Sequence, residues 1–273
     1  MLVDLHTHTN ASDGELAPQV LLALQTAAGV ELLAITDHDT LAGWDQAQPV
    51  GEGAPRLLPG IEFSVEATRQ EVHVLGLGFD PDHPGLRQSV QDQQERRRQR
   101  AERIADRLEY LGVPGALAGA EEEAGGAGIG RPHFARFLVA SGRVRNFDEA
   151  FRRYLGRGKP AACRMEWPPL GDAIEWIHAA GGRAVLAHPH SYKLTRSALR
   201  GLVGEFRAAG GDALEVAMPG LAPGQIGELA RLTREAGLRA SAGSDFHSPD
   251  GWNLPSRIPP LPPGLEALWD EWV

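Results

Sequence analysis

Apolar and polar positions alternate in short blocks over the first eighty residues. Residues 2–6 (LVDLH), 31–36 (ELLAIT), 57–63 (LLPGIEF) and 72–77 (VHVLGL) are runs of branched and apolar residues that predict strands. Between the first two, PQVLLALQTAAG carries leucines at helical spacing and predicts a helix ending at Gly29. Leu2 to His8, read as extended chain, turns His6 and His8 to one face, because side chains two apart on a strand point the same way. After residue 170 the rhythm resumes: DAIEWIHAAGG, ALRGLVGEFRAAGG and GQIGELARLTREAG predict helices, and RAVLAHP, ALEVAM and LRASAGSD predict strands. Such alternation implies an α/β fold with a mostly parallel sheet, closed or open, and helices outside.

The middle of the chain breaks this pattern. Residues 86–111 predict one long charged helix, followed by helical stretches around EEEAG, RPHFARFLVASG and NFDEAFRRYLGRG. Residues 84–167 are therefore expected to be a helical insertion, with 1–83 and 168–273 forming one α/β unit. The run QQERRRQRAER is read as a solvated helix face laced with Glu and Arg rather than as a nucleic-acid patch. Near the end, PPLPPG predicts a stiff loop before a short terminal helix.

Composition narrows the chemistry. With 273 residues, 42% of them hydrophobic, the chain can bury a sizeable core, and one α/β barrel reaches this size. It has no apolar run of about 18 residues and no signal-peptide pattern, so a cytoplasmic protein without a membrane partner is expected. A single cysteine, Cys163, excludes an internal disulfide and a thiolate-rich metal cluster, leaving imidazole and carboxylate as metal donors. The net charge of −9 argues against coating long duplex nucleic acid, while a small anion in a locally positive site stays allowed. Of 27 basic residues only Lys159 and Lys193 are lysines.

Candidate chemistry gathers at the predicted strand ends. In chain order these carry His6 and His8, then Asp13, Asp37 and His38 (ITDHDT), Glu62 (PGIEFS), His73 (EVHVLG), His188 (VLAHPH), and Asp245 and His247 (AGSDFH). In parallel α/β architectures ligands bind at the carboxyl ends of strands, so residues far apart in sequence converge there. Buried histidines and carboxylates without partners are costly, and metal binding removes that cost. His83 and His178 are read as structural.

Taken jointly, HTHTNASDG, TDHDT, GIEFS, VHVLG, AHP and SDFH resemble the signatures of the polymerase and histidinol phosphatase (PHP) family of metallophosphoesterases, in family order and across both halves of the chain. The resemblance implies a distorted barrel of about seven strands, (β/α)7 with a helical insertion, and a centre of three divalent metal ions. It assigns as ligands His6, His8, Asp13, His38, Glu62, His73, His188, Asp245 and His247. By analogy His6, His8, Glu62 and Asp245 hold one ion, Glu62, His73 and His188 a second, and Asp13, His38 and His247 a third. Mixed imidazole and carboxylate donors suit manganese, iron or zinc, and the resemblance puts manganese first. The implied reaction is phosphate-ester hydrolysis by a metal-activated hydroxide.

Asp245, His247 or Asp37 is expected to move a proton, although orienting His38 is an equal reading for Asp37 and Asp39. The role of His190 stays open. The stretches GIGRPHFARFLVASG and YLGRGKPA resemble the insertion of family members that act on nucleotides and short RNA. This makes Arg131 and His133 the leading substrate-binding candidates, with Lys159, Lys193 and a base-stacking Tyr192 behind them. The expected substrate is a 3',5'-bisphosphonucleotide or a short 5'-phosphorylated oligoribonucleotide, with no obligate protein partner. The alternatives are a histidinol phosphate phosphatase and a non-catalytic metal-stabilised module beside a polymerase. The complete ligand set favours an enzyme.

Overall fold

In the computed structural model, which describes residues 1–47, 51, 53–68 and 70–273, seven strands follow one another around a single sheet in sequence order. They are β1 (Leu2–Asp4), β2 (Val30–Ile35), β3 (Arg56–Ala67), β4 (Gln70–Leu77), β5 (Arg183–Leu186), β6 (Ala213–Ala217) and β7 (Arg239–Ala242). The pairs β1–β2, β2–β3, β5–β6 and β6–β7 are parallel. Only β4 runs against its neighbours, paired antiparallel to β3 and to β5. Beyond β1 and β7 the chain goes on pairing: Leu5 N–H donates to Ala242 O (3.1 Å), Asp245 N–H to His6 O (2.8 Å) and His8 N–H to Phe246 O (2.9 Å). These bonds close the sheet on itself. β1 is shorter than expected, so His6 and His8 lie just past its end, around the bridge between Thr7 and Phe246.

Helices α1 (Pro18–Ala27), α2 (Ala42–Gln46), α3 (Pro84–Tyr110), α4 (Ala116–Ala124), α5 (Arg131–Ala140) and α6 (Phe147–Ala150) precede α7 (Leu170–Ala179), α8 (Arg196–Ala208) and α9 (Pro223–Ala236). Alternation along the strands sends Leu32, Ala34, Leu75 and Val185 into the barrel interior. Phe63, Val65, Leu186 and Leu214 instead meet Ile174, Ile177, Leu202 and Phe206 in the helical layer. The predicted terminal helix is a single 3-10 turn, Leu268–Glu271, which packs Leu268 under the barrel. Trp272 beside it requires glycine at Gly78, where φ is +68° and a β-carbon would come within 2.8 Å of the indole. Among the described residues, no helix is long and apolar enough to cross a membrane.

The insertion has a core of its own, in which Ala101, Ile104 and Leu108 of α3 meet Phe134 and Leu138 of α5. The first half of the same α3 belongs to the barrel, where Leu86 and Val90 lie in the helical-layer core. One stripe of this helix is buried from end to end: Leu86, Val90, Gln93, Arg97, Arg100, Ile104 and Leu108, at spacings of three and four. The reading of QQERRRQRAER as a solvated face therefore needs correction. Glu95, Arg98 and Glu102 do form exposed pairs, but Gln93, Arg97 and Arg100 face inward on carboxylates of the barrel. Charge alone could not distinguish the two faces.

Candidate metal centre

The nine expected ligands meet at one mouth of the barrel. β1, β2, β5 and β7 deliver theirs just beyond their carboxyl ends, as the parallel rule requires. His73 arrives differently: it sits in the first half of β4, whose reversed direction brings its amino-terminal part to the same mouth. Glu62 is inside β3 rather than at its end, level with the mouth through its bridge to His38, while the rest of the β3–β4 hairpin continues past it. Three residues at the turns off the strands take left-handed backbone: Asp39 (φ +53°), His188 (φ +28°) and Asp245 (φ +52°). Such conformations cost about 1–3 kcal/mol each and persist where surrounding structure enforces them.

Donor atoms crowd together at distances suited to shared cations. His6 Nε2 and His8 Nε2 are 3.1 Å apart, and each lies 3.2–3.4 Å from Glu62 Oε2 and Asp245 Oδ1. The other oxygen, Glu62 Oε1, is 2.8 Å from His73 Nδ1 and 2.9 Å from His188 Nε2. Asp13 Oδ1 is 3.2 Å from His247 Nε2, and Asp13 Oδ2 is 3.7 Å from His38 Nε2. Overlapping sets of three or four donors within 4.8 Å of one another emerge: His8, Asp13, His38 and His247; His6, Glu62 and His188; His6, His8 and Asp245; His38, Glu62 and His73. Four of the buried polar atoms without a hydrogen-bond partner belong to this cluster: His8 Nδ1, Asp13 Oδ1, His38 Nδ1 and Glu62 Oε2. Orphaned donor atoms of imidazole and carboxylate, aimed at one another, fit divalent cations.

A layer of buried groups behind the ligands fixes their orientation. Glu215, in the middle of β6, approaches His6 Nδ1 at 3.1 Å and accepts from His188 N–H at 2.6 Å. Glu71 lies 3.8 Å from His73 Nε2, on the ring edge away from Glu62. His247 Nδ1 is 3.0 Å from the Asp245 carbonyl, which leaves Nε2 facing Asp13. Asp37 accepts from Thr9 N–H (2.8 Å), Thr9 Oγ1 (2.6 Å) and Ser12 Oγ (2.5 Å), bracing the loop that carries His8 and Asp13. Its carboxylate is committed, so the structure assigns it positioning and not the proton transfer expected for it. Asp39 accepts from Ser64 N–H, Gln93 Nε2 and Arg97 Nε. Neither aspartate hydrogen-bonds to His38 among the described residues.

Electrostatics divides the cluster by sign. Burial disfavours charge throughout, but Glu62 and Glu71 outweigh it at His73, held up at about 9. Asp13 and Asp245 outweigh it at His247, held up at about 10. Burial would likewise raise Glu62 and Asp13, yet the histidines facing them keep both well below the usual carboxylate range. His38 goes the other way, burial keeping its imidazole well below the ordinary range, so charged and neutral rings stand side by side at the mouth.

The expected substrate residues are less uniformly placed. Arg131 opens α5, half-exposed, with Nη2 3.5 Å from Glu71 Oε1. His133 is buried, and its Nδ1 accepts from Gly130 N–H at 2.9 Å, capping the helix. Tyr192 is committed elsewhere: its hydroxyl donates to Ala187 O and accepts from His73 N–H, and its ring packs edge-on against His188. It braces the wall of the centre, and the base-stacking role is withdrawn. Lys159 and Lys193 are exposed on turns, and no hydrogen bond ties either side chain to the centre among the described residues. His190 lies outside the donor sets. His83 caps α3 and His178 pairs with Asp212, both structural as expected.

Sequence reasoning missed Glu215, Glu71, Arg97, Arg100 and Arg136, whose Nη2 donates to Asp13 O at 2.7 Å. Glu215 had a signal: a lone carboxylate inside the apolar strand ALEVA.

No protein-family model matches the chain. It is 43% identical to the 5'-3' exoribonuclease Rnm of Escherichia coli, covering 100% of this chain and 94% of the relative. It is 39% identical to a 3',5'-nucleoside bisphosphate phosphatase of Chromobacterium violaceum, over 98% of this chain and 95% of that one. A solved structure of a C. violaceum amidohydrolase with bound sulfate and no metal superposes with a TM-score of 0.91 at 37% identity, covering 99% of this chain and 95% of that chain. With the donor cluster and the seven-stranded sheet, these similarities place the chain in the PHP family of metal-dependent phosphoesterases.

Proposed function

We propose that the protein hydrolyses phosphate esters of 3',5'-bisphosphonucleotides and of short 5'-phosphorylated oligoribonucleotides, and that three divalent ions, manganese first and iron or zinc next, occupy its mouth. The observation that carries this reading is the convergence of nine imidazole and carboxylate side chains at one mouth, four of whose buried donor atoms, on His8, Asp13, His38 and Glu62, have no hydrogen-bond partner. By analogy with the family, His6, His8, Glu62 and Asp245 would hold one ion, Glu62, His73 and His188 a second, and Asp13, His38 and His247 a third; the donor distances are compatible with this partition, although the sets overlap. Substrate class rests on the relatives, named for 5'-3' exoribonuclease and 3',5'-nucleoside bisphosphate phosphatase activity. A small substrate in the cytoplasm agrees with the net charge of −9.

When bound, the ions supply Lewis-acid charge and an acidified water at near-neutral pH. The chain's own groups do the remainder. Glu62 uses both oxygens, one toward each of two donor sets, and so sets their separation. Asp245 and His247 open furthest to solvent among the nine, at 22% and 35% side-chain exposure, which supports them as the groups beside a departing oxygen; Asp245, kept ionised against burial by the histidines around it, would accept a proton rather than give one. Arg131 offers a guanidinium fork to the second phosphate of a bisphosphonucleotide; Lys159 and Lys193, both exposed, would add further positive charge for it. His133 holds the first turn of α5, and with it Arg131, in place.

The test is activity of manganese-loaded protein on three substrates: phosphate release from adenosine 3',5'-bisphosphate, 5'-mononucleotide release from a 5'-phosphorylated tetraribonucleotide, and phosphate release from histidinol phosphate. Turnover of the first two is expected; none on either, or faster release from histidinol phosphate, overturns the assignment. Arg131→Ala should raise KM for the bisphosphate about tenfold while leaving an aryl phosphate within twofold. Equal losses on both would remove its selectivity role.

A further inference from the structure

The rim of the barrel carries an aromatic ring that the reading above leaves unused. After His247 the chain turns, and Asn253 Nδ2 donates to the carbonyl of Asp245 at 3.3 Å, folding the loop back on the strand end that bears two candidate ligands. Trp252 in this loop is 66% exposed, whereas the other five tryptophans are buried or half-buried. The Arg257 guanidinium lies over its ring, 4.1 Å from the centroid, and Arg257 Nη1 donates to Trp252 O at 3.3 Å. A second loop supports the indole edge. Gly220, between β6 and α9, has φ +79°, and a β-carbon there would lie 3.3 Å from Cδ1 and Nε1. The ring is held from two loops at the mouth while much of its surface stays in water.

Three features point to one occupant. An exposed indole offers a π-face that any base can stack on. Arg257 lies over one face of the ring, leaving the opposite face for a base, and its positive charge favours an anionic partner at this spot. The platform lies in the loop tied to the backbone of Asp245, so a polymer held by its phosphate at the metal centre and running out over this loop would meet the ring. A bisphosphonucleotide ends at the centre, whereas an oligoribonucleotide continues beyond it.

We propose that Trp252 and Arg257 form a stacking subsite for a base beyond the first nucleotide of a short RNA. This rests on the reading that the protein acts on 5'-phosphorylated oligoribonucleotides. Trp252→Ala should lower kcat/KM for a 5'-phosphorylated tetraribonucleotide about tenfold, leave adenosine 3',5'-bisphosphate within twofold, and be largely rescued by Trp252→Phe. A second readout is binding of a fluorescent 5'-phosphorylated tetranucleotide with phosphorothioate linkages, expected to weaken about tenfold in the Ala variant. Equal losses on both substrates, or unchanged oligonucleotide binding, overturn the subsite. If wild-type protein turns over neither substrate, the functional reading fails, and the binding measurement still decides the subsite: a tenfold loss upholds it and no change removes it.

Discussion

A carboxylate buried inside an apolar strand is expensive unless its oxygens are used, and Glu215 uses both, one on the His6 ring and one on the His188 backbone. It therefore bears on two donor sets from outside the cluster. Glu215→Gln keeps the shape and removes the charge that favours a donating His6 Nδ1, so metal affinity should fall about 10–100-fold with the fold intact. Competition with a chelating dye, read beside circular dichroism, measures this, and unchanged affinity would reduce Glu215 to packing. His133 makes a pH prediction of its own. Burial pushes its imidazole down to about 4 from an ordinary 6.5, so the unfolded chain binds the proton that the folded one refuses. Its contribution is complete above about pH 6.5 and is lost as pH falls toward 4, by about 2–3 kcal/mol. His133→Gln, which retains an acceptor for Gly130 N–H, should flatten that part of the urea-unfolding profile between pH 7.5 and 4.5. That histidines and carboxylates would gather at one mouth was legible in the polar residues closing several apolar strands, whereas the choice of nine candidate ligands came from the resemblance to the family's signatures. Tyr192 and Asp37 were misread because a side chain's hydrogen bonds are set by neighbours distant in sequence.

Among the elements, α3 departs most from its reading. The alternating blocks revealed the strands and the barrel helices, since period two and period 3.6 follow from burial of one face. They did not reveal that β4 runs backwards, because a strand's residues look alike in either direction. Nor did they show that the arginine-rich run lies inside. Arg97 Nε meets Asp39 Oδ2 at 2.5 Å, both side chains nearly inaccessible, and Nη2 reaches Ser64 Oγ at 3.0 Å. Removing one partner leaves the other charge stranded. Arg97→Ala should cost about 3 kcal/mol in chemical denaturation, well beyond Arg98→Ala, whose pairs with Glu95 and Glu102 lie in solvent and are screened. Similar losses at both positions would contradict the buried pairing.

For the whole molecule, the mouth holds mutually paired charges that metal must displace. His73, held up at about 9, and His247, held up at about 10, are protonated at neutral pH without metal. Loading must therefore expel protons, and apparent metal affinity should rise with pH from 6 through 9. Calorimetry in buffers of different ionisation heats counts the protons, and a buffer-independent heat would refute the scheme. Stripping metal with a chelator should lower the melting temperature by about 10 °C, restored on adding manganese back, since an ion at a thousandfold excess over its Kd stabilises by about 4 kcal/mol. One shared helix has a last consequence. Because α3 is rooted in the barrel by Leu86 and Val90 and carries Arg97 and Arg100 to the mouth before entering the second core, the rotational phase of a rigid rod is part of the active site. A single residue gained or lost between Val90 and Gln93 would swing everything downstream by about 100°. Drift in this lineage should therefore prefer whole-turn length changes here, as a screw admits only full threads.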